Sequence, residues 1–123
     1  MTQAYVKPYI SKYTRPYWEG LQQKKLLAQE CNQCKSQFFP ARSRCPSCLS
    51  NDYKWIELSG KGTLYSWSEI HFGPPYILGI VELKEGIGRS IARINAKSGD
   101  LEIGQPMQAN FIEFDDLTLL EWK

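Results

Sequence analysis

Histidine is almost missing from this chain: His71 is the one example in 123 residues. Paired-histidine metal sites therefore have no material here. No G-x-S-x-G, H-E-x-x-H or phosphate-binding P-loop occurs either. No run of 18 apolar residues exists, so no membrane-spanning helix is expected. The opening MTQAYVKPYISKY lacks an apolar signal core, so the cytosol is the expected address. A large surplus of one charge is also lacking. The net charge of +2 is too small to imply a nucleic-acid partner by itself.

Apolar residues make up 42% of the chain, enough for a modest core. The length suits one ordinary domain, or a small module joined to a larger one. Charge is unevenly spread. Residues 1–50 hold eight Lys or Arg against two acids, Glu19 and Glu30, whereas residues 51–123 hold seven against eleven. Phosphate groups are expected to prefer the first half, unless the charge is simply solvated on two small modules.

All four cysteines fall in one stretch, CNQCKSQFFPARSRCPSC, residues 31–48. Cys31 and Cys34 form one C-x-x-C pair, and Cys45 and Cys48 another, ten residues on. Each pair can form a tight turn that aims two sulfurs at one point, and two such turns make a tetrahedral four-thiolate site. A reducing compartment favours metal over two disulfides or free core thiols. With every ligand supplied by protein, the site is structural and the expected ion is zinc. Iron in a rubredoxin-like site also accepts four thiolates. Small residues after each second cysteine would favour it; here Lys35 and Leu49 stand there.

Along the chain, residues 1–12 read as an extended arm carrying Tyr5 and Tyr9. TRPYWEGLQQKKLL then reads as a helix over about 15–25, with Thr14 as N-cap and Pro16 in the first turn. Lys24 and Lys25 suit its C-terminal end. From residue 51 the texture is β. YKWIELS alternates, and TLYSWSEIHF places Tyr65, Trp67, Glu69 and His71 on one face. YILGIVEL reads as a strand buried on both sides, and RSIARINA, QANFIEF and TLLEWK as the remaining strands. The expected class is mainly β. It comprises an N-terminal arm and helix (1–25), a rubredoxin-like zinc ribbon (26–50) and a small five- to six-stranded OB-fold barrel (51–123). An open sandwich is the alternative to the barrel.

This order of elements resembles the domain-of-unknown-function family 35, the acyl-CoA-associated zinc-ribbon/OB-fold proteins. The residues that carry the likeness are YWEGL (17–21), LLAQECNQCKSQFFPARSRCPSC (26–48), GKGTLYSWSEIH (60–71) and IGQPMQANF (103–111). Ala41 replaces a second proline of the family pattern, and Met107 an aliphatic residue. The resemblance implies a non-catalytic subunit. It would dock beside an acyl-CoA enzyme (a thiolase-fold acyltransferase or synthase, an aldolase or a hydratase) and help form its CoA channel as a hetero-oligomer.

On that reading CoA phosphates need Arg or Lys, and adenine needs an aromatic or guanidinium plane. The CoA-binding candidates are Phe39, Arg42, Arg44, Tyr65, Trp67 and His71. The partner-interface candidates are Tyr9, Tyr13, Tyr17 and Trp18, since so many aromatics exceed what a short arm and helix can bury. Solvated arginines, core-packed Tyr65 and Trp67, and aromatics covering the ribbon–barrel seam are the plainer alternatives. A single-stranded nucleic-acid module would use Tyr65 and Trp67 as a stacking platform, against the acidic charge of the barrel half. A free-standing enzyme would have to rely on Glu69 and His71 as an acid–base pair.

Overall fold

The computed structural model describes residues 8–123. Tyr5 lies outside that range. The described chain contains one α-helix, α1 (Arg15–Gln22), and eight strands. Strands β1 (Leu27–Cys31), β2 (Gln37–Phe38) and β3 (Tyr53–Glu57) form an antiparallel sheet in the order β2-β1-β3. Strands β4 (Lys61–Ile70), β5 (Tyr76–Leu83), β6 (Arg89–Ile94), β7 (Pro106–Phe114) and β8 (Leu117–Trp122) close into a barrel in the order β4-β5-β6-β8-β7. All barrel pairings are antiparallel except β6 with β8. None of the described helices is long and apolar enough to cross a membrane.

Helix α1 differs from expectation at both ends. Thr14 does not cap it, because its backbone is already helical (φ −95°, ψ −7°) and no side-chain cap bond forms. Its hydroxyl accepts the Ser11 amide at 3.1 Å, while the Ser11 hydroxyl accepts the Thr14 amide at 3.2 Å. The helix also stops at Gln22 rather than running through Lys25. Lys24 adopts a left-handed φ of 60°, and the Lys25 amide bonds back to the Gly20 carbonyl at 2.8 Å. That reversal turns Leu26 into the core, where it is buried. Gly20 permits the close return, since a Cβ there would lie 2.7 Å from Cδ1 of Leu27.

The strand Tyr53–Glu57, expected to open the barrel, belongs instead to the ribbon sheet. It pairs with β1 over its whole length, from Leu27 opposite Glu57 to Cys31 opposite Tyr53. Closing the cysteine loop brings residue 53 beside residue 31, and β2, two residues long, leaves β1 needing a fuller partner. The barrel therefore has five strands. YILGIVEL is buried on one side only: Ile77, Gly79, Val81 and Leu83 point inward, and Leu78 and Glu82 outward. A closed barrel has a single interior, so its strands alternate.

One apolar core joins helix, ribbon base and barrel. Leu21, Leu26 and Ala28 pack with Leu64, Val81 and Trp122, among others. Trp122 is completely buried, and its indole N–H donates to the Ser90 hydroxyl at 3.0 Å. A second, much smaller cluster contains Cys31, Phe38 and Cys45, with Tyr53 against it.

Candidate functional site

The two C-x-x-C turns are built alike. In the first, the Cys31 amide donates to the Ser36 carbonyl at 2.8 Å and the Lys35 amide to the Cys31 carbonyl at 3.0 Å. In the second, Cys45 bonds to Ser50 and Leu49 to Cys45, at 2.8 and 2.9 Å. Lys35 and Leu49 both take left-handed φ values, 65° and 64°. Each turn thus demands a conformation that L-residues adopt at some cost, at the position directly after its second cysteine. The Gln33 amide points at Cys31 Sγ and the Ser47 amide at Cys45 Sγ, both at 3.4 Å.

The four sulfurs converge within 4.8 Å of one another. Cys31 Sγ lies 3.5 Å from Cys48 Sγ, and Cys34 Sγ lies 3.6 Å from Cys45 Sγ. A tetrahedral zinc–tetrathiolate with Zn–S near 2.3 Å has sulfurs about 3.8 Å apart. The cluster therefore fits a structural zinc site. The Ser36 hydroxyl and amide hold the Cys34 thiol down at about 6. The Ser50 amide likewise favours the Cys48 thiolate, but hydrogen bonds among the crowded thiols and burial outweigh it and push Cys48 up to about 12. Four thiolates this close need a cation among them, and a bound ion reverses that penalty.

The two arginines before the second turn separate in role. Arg44 donates from Nη1 to the Leu49 carbonyl at 3.1 Å, bracing the turn. Arg42 is exposed, but its main chain is anchored. Its amide donates to Gln29 Oε1 and its carbonyl accepts from Gln29 Nε2, both at 2.7 Å. Gln29 is fully buried on β1, and both ends of its amide are used to hold the loop. The sequence reading passed over Gln29, because a glutamine in LLAQEC carries no sign of burial.

Phe39 is half-buried where helix, ribbon and barrel meet. Its ring lies 6.1 Å from that of Tyr17, which in turn stands edge-on to Trp18 at 5.2 Å. Burial pushes the Tyr17 phenol up to about 12. Gly88 admits the ribbon here, as a Cβ on it would come within 2.6 Å of the Phe39 carbonyl oxygen. These aromatics line an apolar groove of about 540 Å³, completed by Ile91 on β6 and Leu119 and Leu120 on β8, with Arg89 at its edge. Arg89 stacks on Tyr65, its guanidinium carbon 3.8 Å from the ring centroid, and contacts Glu82 at 3.4 Å. Arg89 and Ile91, 68% exposed, were not singled out from sequence. Nothing in RSIARINA distinguishes a groove wall from any other outward strand face.

The expected alignment of Tyr65, Trp67, Glu69 and His71 is broken. The β4–β5 register shifts between Leu64 and Ser66, a bulge that adds one residue to β4. Leu64 and Trp67, three apart, both pack toward the core, while Tyr65 is half-exposed under Arg89. No Tyr65–Trp67 stacking platform exists. His71 Nε2 lies 3.2 Å from Glu69 Oε1, with both side chains open to solvent. Of the four interface candidates, Tyr17 and Trp18 reach the groove; Tyr9 and Tyr13 are exposed, and Tyr13 carries the Lys12 ammonium 5.4 Å over its ring.

Comparison with known proteins matches both modules. Residues 18–53 match the ChsH2 rubredoxin-like zinc ribbon domain, and residues 55–111 the ChsH2 C-terminal OB-fold domain. A probable enoyl-CoA hydratase alpha subunit of Thermomonospora curvata is 32% identical over 120 residues, which is 92% of this chain and 38% of that protein. A DUF35 domain-containing scaffold protein of Methanocaldococcus jannaschii is 34% identical, over 70% of this chain and 67% of the other. Among solved structures, an Ltp2-ChsH2(DUF35) aldolase superposes with a TM-score of 0.84 at 31% identity, covering 94% of this chain and 97% of that one. The chain thus spans well under half the length of the hydratase subunit it matches.

Proposed function

This chain belongs to the DUF35/ChsH2 family of zinc-ribbon and OB-fold proteins, and from that premise we propose that it is a non-catalytic accessory subunit of an acyl-CoA enzyme. The enzyme would be of the thiolase-fold, aldolase or hydratase type, and the two chains form a hetero-oligomer. Cys31, Cys34, Cys45 and Cys48 hold one zinc ion that keeps the ribbon rigid. The observation that carries the reading is the open groove between the modules. Helix, ribbon and barrel each supply a wall, and the walls are mostly aromatic and aliphatic, with Thr14 and Ser90 and one guanidinium, Arg89, among them. Enrichment in aromatics with one arginine is the composition of an interface core. A neighbouring enzyme seated over the groove would complete a channel for a thioester. Phe39 would face the pantetheine arm, with the Arg89–Tyr65 stack and the free Arg42 side chain near its charged end. Arg44, Trp67 and His71 serve the turn, the core and a surface contact with Glu69 in this reading.

A tagged pull-down from the native cells tests this. The expected band is an acyl-CoA enzyme whose thioester turnover falls at least tenfold without this chain. Turnover of an acyl-CoA by the purified single chain would overturn it, as would recovery of the chain with no such enzyme. Trp18→Ala is expected to weaken the complex while leaving zinc content unchanged.

A further inference from the structure

The outer face of the barrel carries a feature that the groove does not use. Lys61 begins β4, and its register partner on β7 is Gln108. Gln108 in turn exchanges both main-chain hydrogen bonds with Lys123, at 2.9 and 3.0 Å. On the other side, the Lys84 amide donates to the Lys61 carbonyl at 3.0 Å, continuing the register that sets Gly62 opposite Leu83. Lys84, Lys61, Gln108 and Lys123 are therefore directly opposite one another across four chain segments. Their inward neighbours Leu83, Met107 and Trp122 are buried, so this row points outward. Directly opposed side chains start about 5 Å apart. The row faces a shallow depression of about 680 Å³ that Thr63 also lines.

Like charges directly opposite one another weaken a sheet. Lysines on open sheets guard exposed edges against pairing, but this barrel is closed and has no edge here. Among the described residues no ion pair involves these three ammonium groups. Two acids lie nearby: Glu82, which also lines the depression opposite Thr63, is paired with Arg89 at 3.4 Å, and Glu85 accepts the Ser59 amide at 2.7 Å. We propose that this row is a binding site for a diphosphate-class anion. The Lys84–Lys61 pair would clamp one phosphate and Lys123 the next, with the Gln108 amide and Thr63 hydroxyl donating between them. Lysine binds phosphate as a point charge and needs no bidentate geometry. The depression has no aromatic lining, so it lacks the base stacking, worth about 1–3 kcal/mol per base, that single-strand binders add to their phosphate contacts.

The test is an NMR titration of the zinc-loaded 123-residue chain with inorganic diphosphate and, separately, with CoA. Saturable shifts are expected at the amides of residues 61, 84, 108 and 123. Lys61→Gln and Lys84→Gln should each weaken binding by about tenfold. CoA binding more tightly than inorganic diphosphate would identify a nucleotide-linked group as the source, and equal affinities the free anion; either supports the site. Three results would overturn it: no shifts along the row at millimolar anion, undiminished affinity in both variants, or tighter binding of oligothymidylate than of diphosphate. The pull-down described above reads the accessory role separately.

Discussion

The cysteine turns and the barrel hold themselves together by different means. The small cluster around the turns has three buried members, Cys31, Phe38 and Cys45, two of which are metal ligands. The barrel core extends from Leu64 and Val81 to Trp122 and reaches into the helix through Leu21. Burial of apolar surface at about 25 cal/mol per Å² can sustain the second but not the first. A metal ion, whose binding contributes on the order of 10 kcal/mol to folding in such ribbons, is the remaining source of order for the turns. On that reading stability is divided between a metal-ligating cysteine cluster and a hydrophobic interior, with β1 as the element common to both.

The largest expected effect comes from removing the ion. Chelation, or Cys34→Ser, should abolish amide protection between residues 31 and 50 while the barrel strands keep theirs. Hydrogen exchange reads both regions at once, and full protection at the turns without metal would remove the contrast. Trp122→Ala should do the reverse, lowering barrel stability by about 3–5 kcal/mol because it empties the centre of the core and orphans the Ser90 hydroxyl. Zinc content at a temperature where the variant stays folded should remain at one ion per chain.

Gln29→Leu tests the link between the regions. It strips the Arg42 amide and carbonyl of their partners and should cost about 1–3 kcal/mol. The loss should appear first as faster exchange around residues 40–44, ahead of any change in the barrel. Thr14→Ala should have the smallest effect, within about 0.5 kcal/mol in the melting curve, because no helix cap is lost with the hydroxyl. A loss of 1 kcal/mol or more would mean that the Ser11–Thr14 pair anchors the helix more firmly than its geometry indicates.

How far each feature was legible follows from the range of the interactions behind it. The metal turns are local, so two C-x-x-C pairs announce them. The alternation of RSIARI and the break at GPP are also local, and the barrel strands fall where these patterns lie. The helix end is not legible locally, because the reversal at Lys24 follows from where Leu26 must go, not from the residues of the helix. YKWIE has the same alternation whichever neighbour it pairs with, so nothing local places β3 in the ribbon sheet rather than in the barrel. The bulge at Tyr65 was invisible because nothing in TLYSW marks an extra residue, and it reversed the relation between two aromatics expected to act together.

The sequence alone determined that four thiolates meet, that a five-residue Y-W-E-G-L helix core leads into them, and that a strand-rich half follows. Chemistry and spacing within a few residues suffice for that. Tertiary structure decided which aromatics share a groove, which glutamine anchors the ribbon loop, and that three lysines of a net acidic half stand in one row. Those facts depend on strand register, which is fixed by pairing between residues as far apart as Lys61 and Gln108, and no local pattern encodes it.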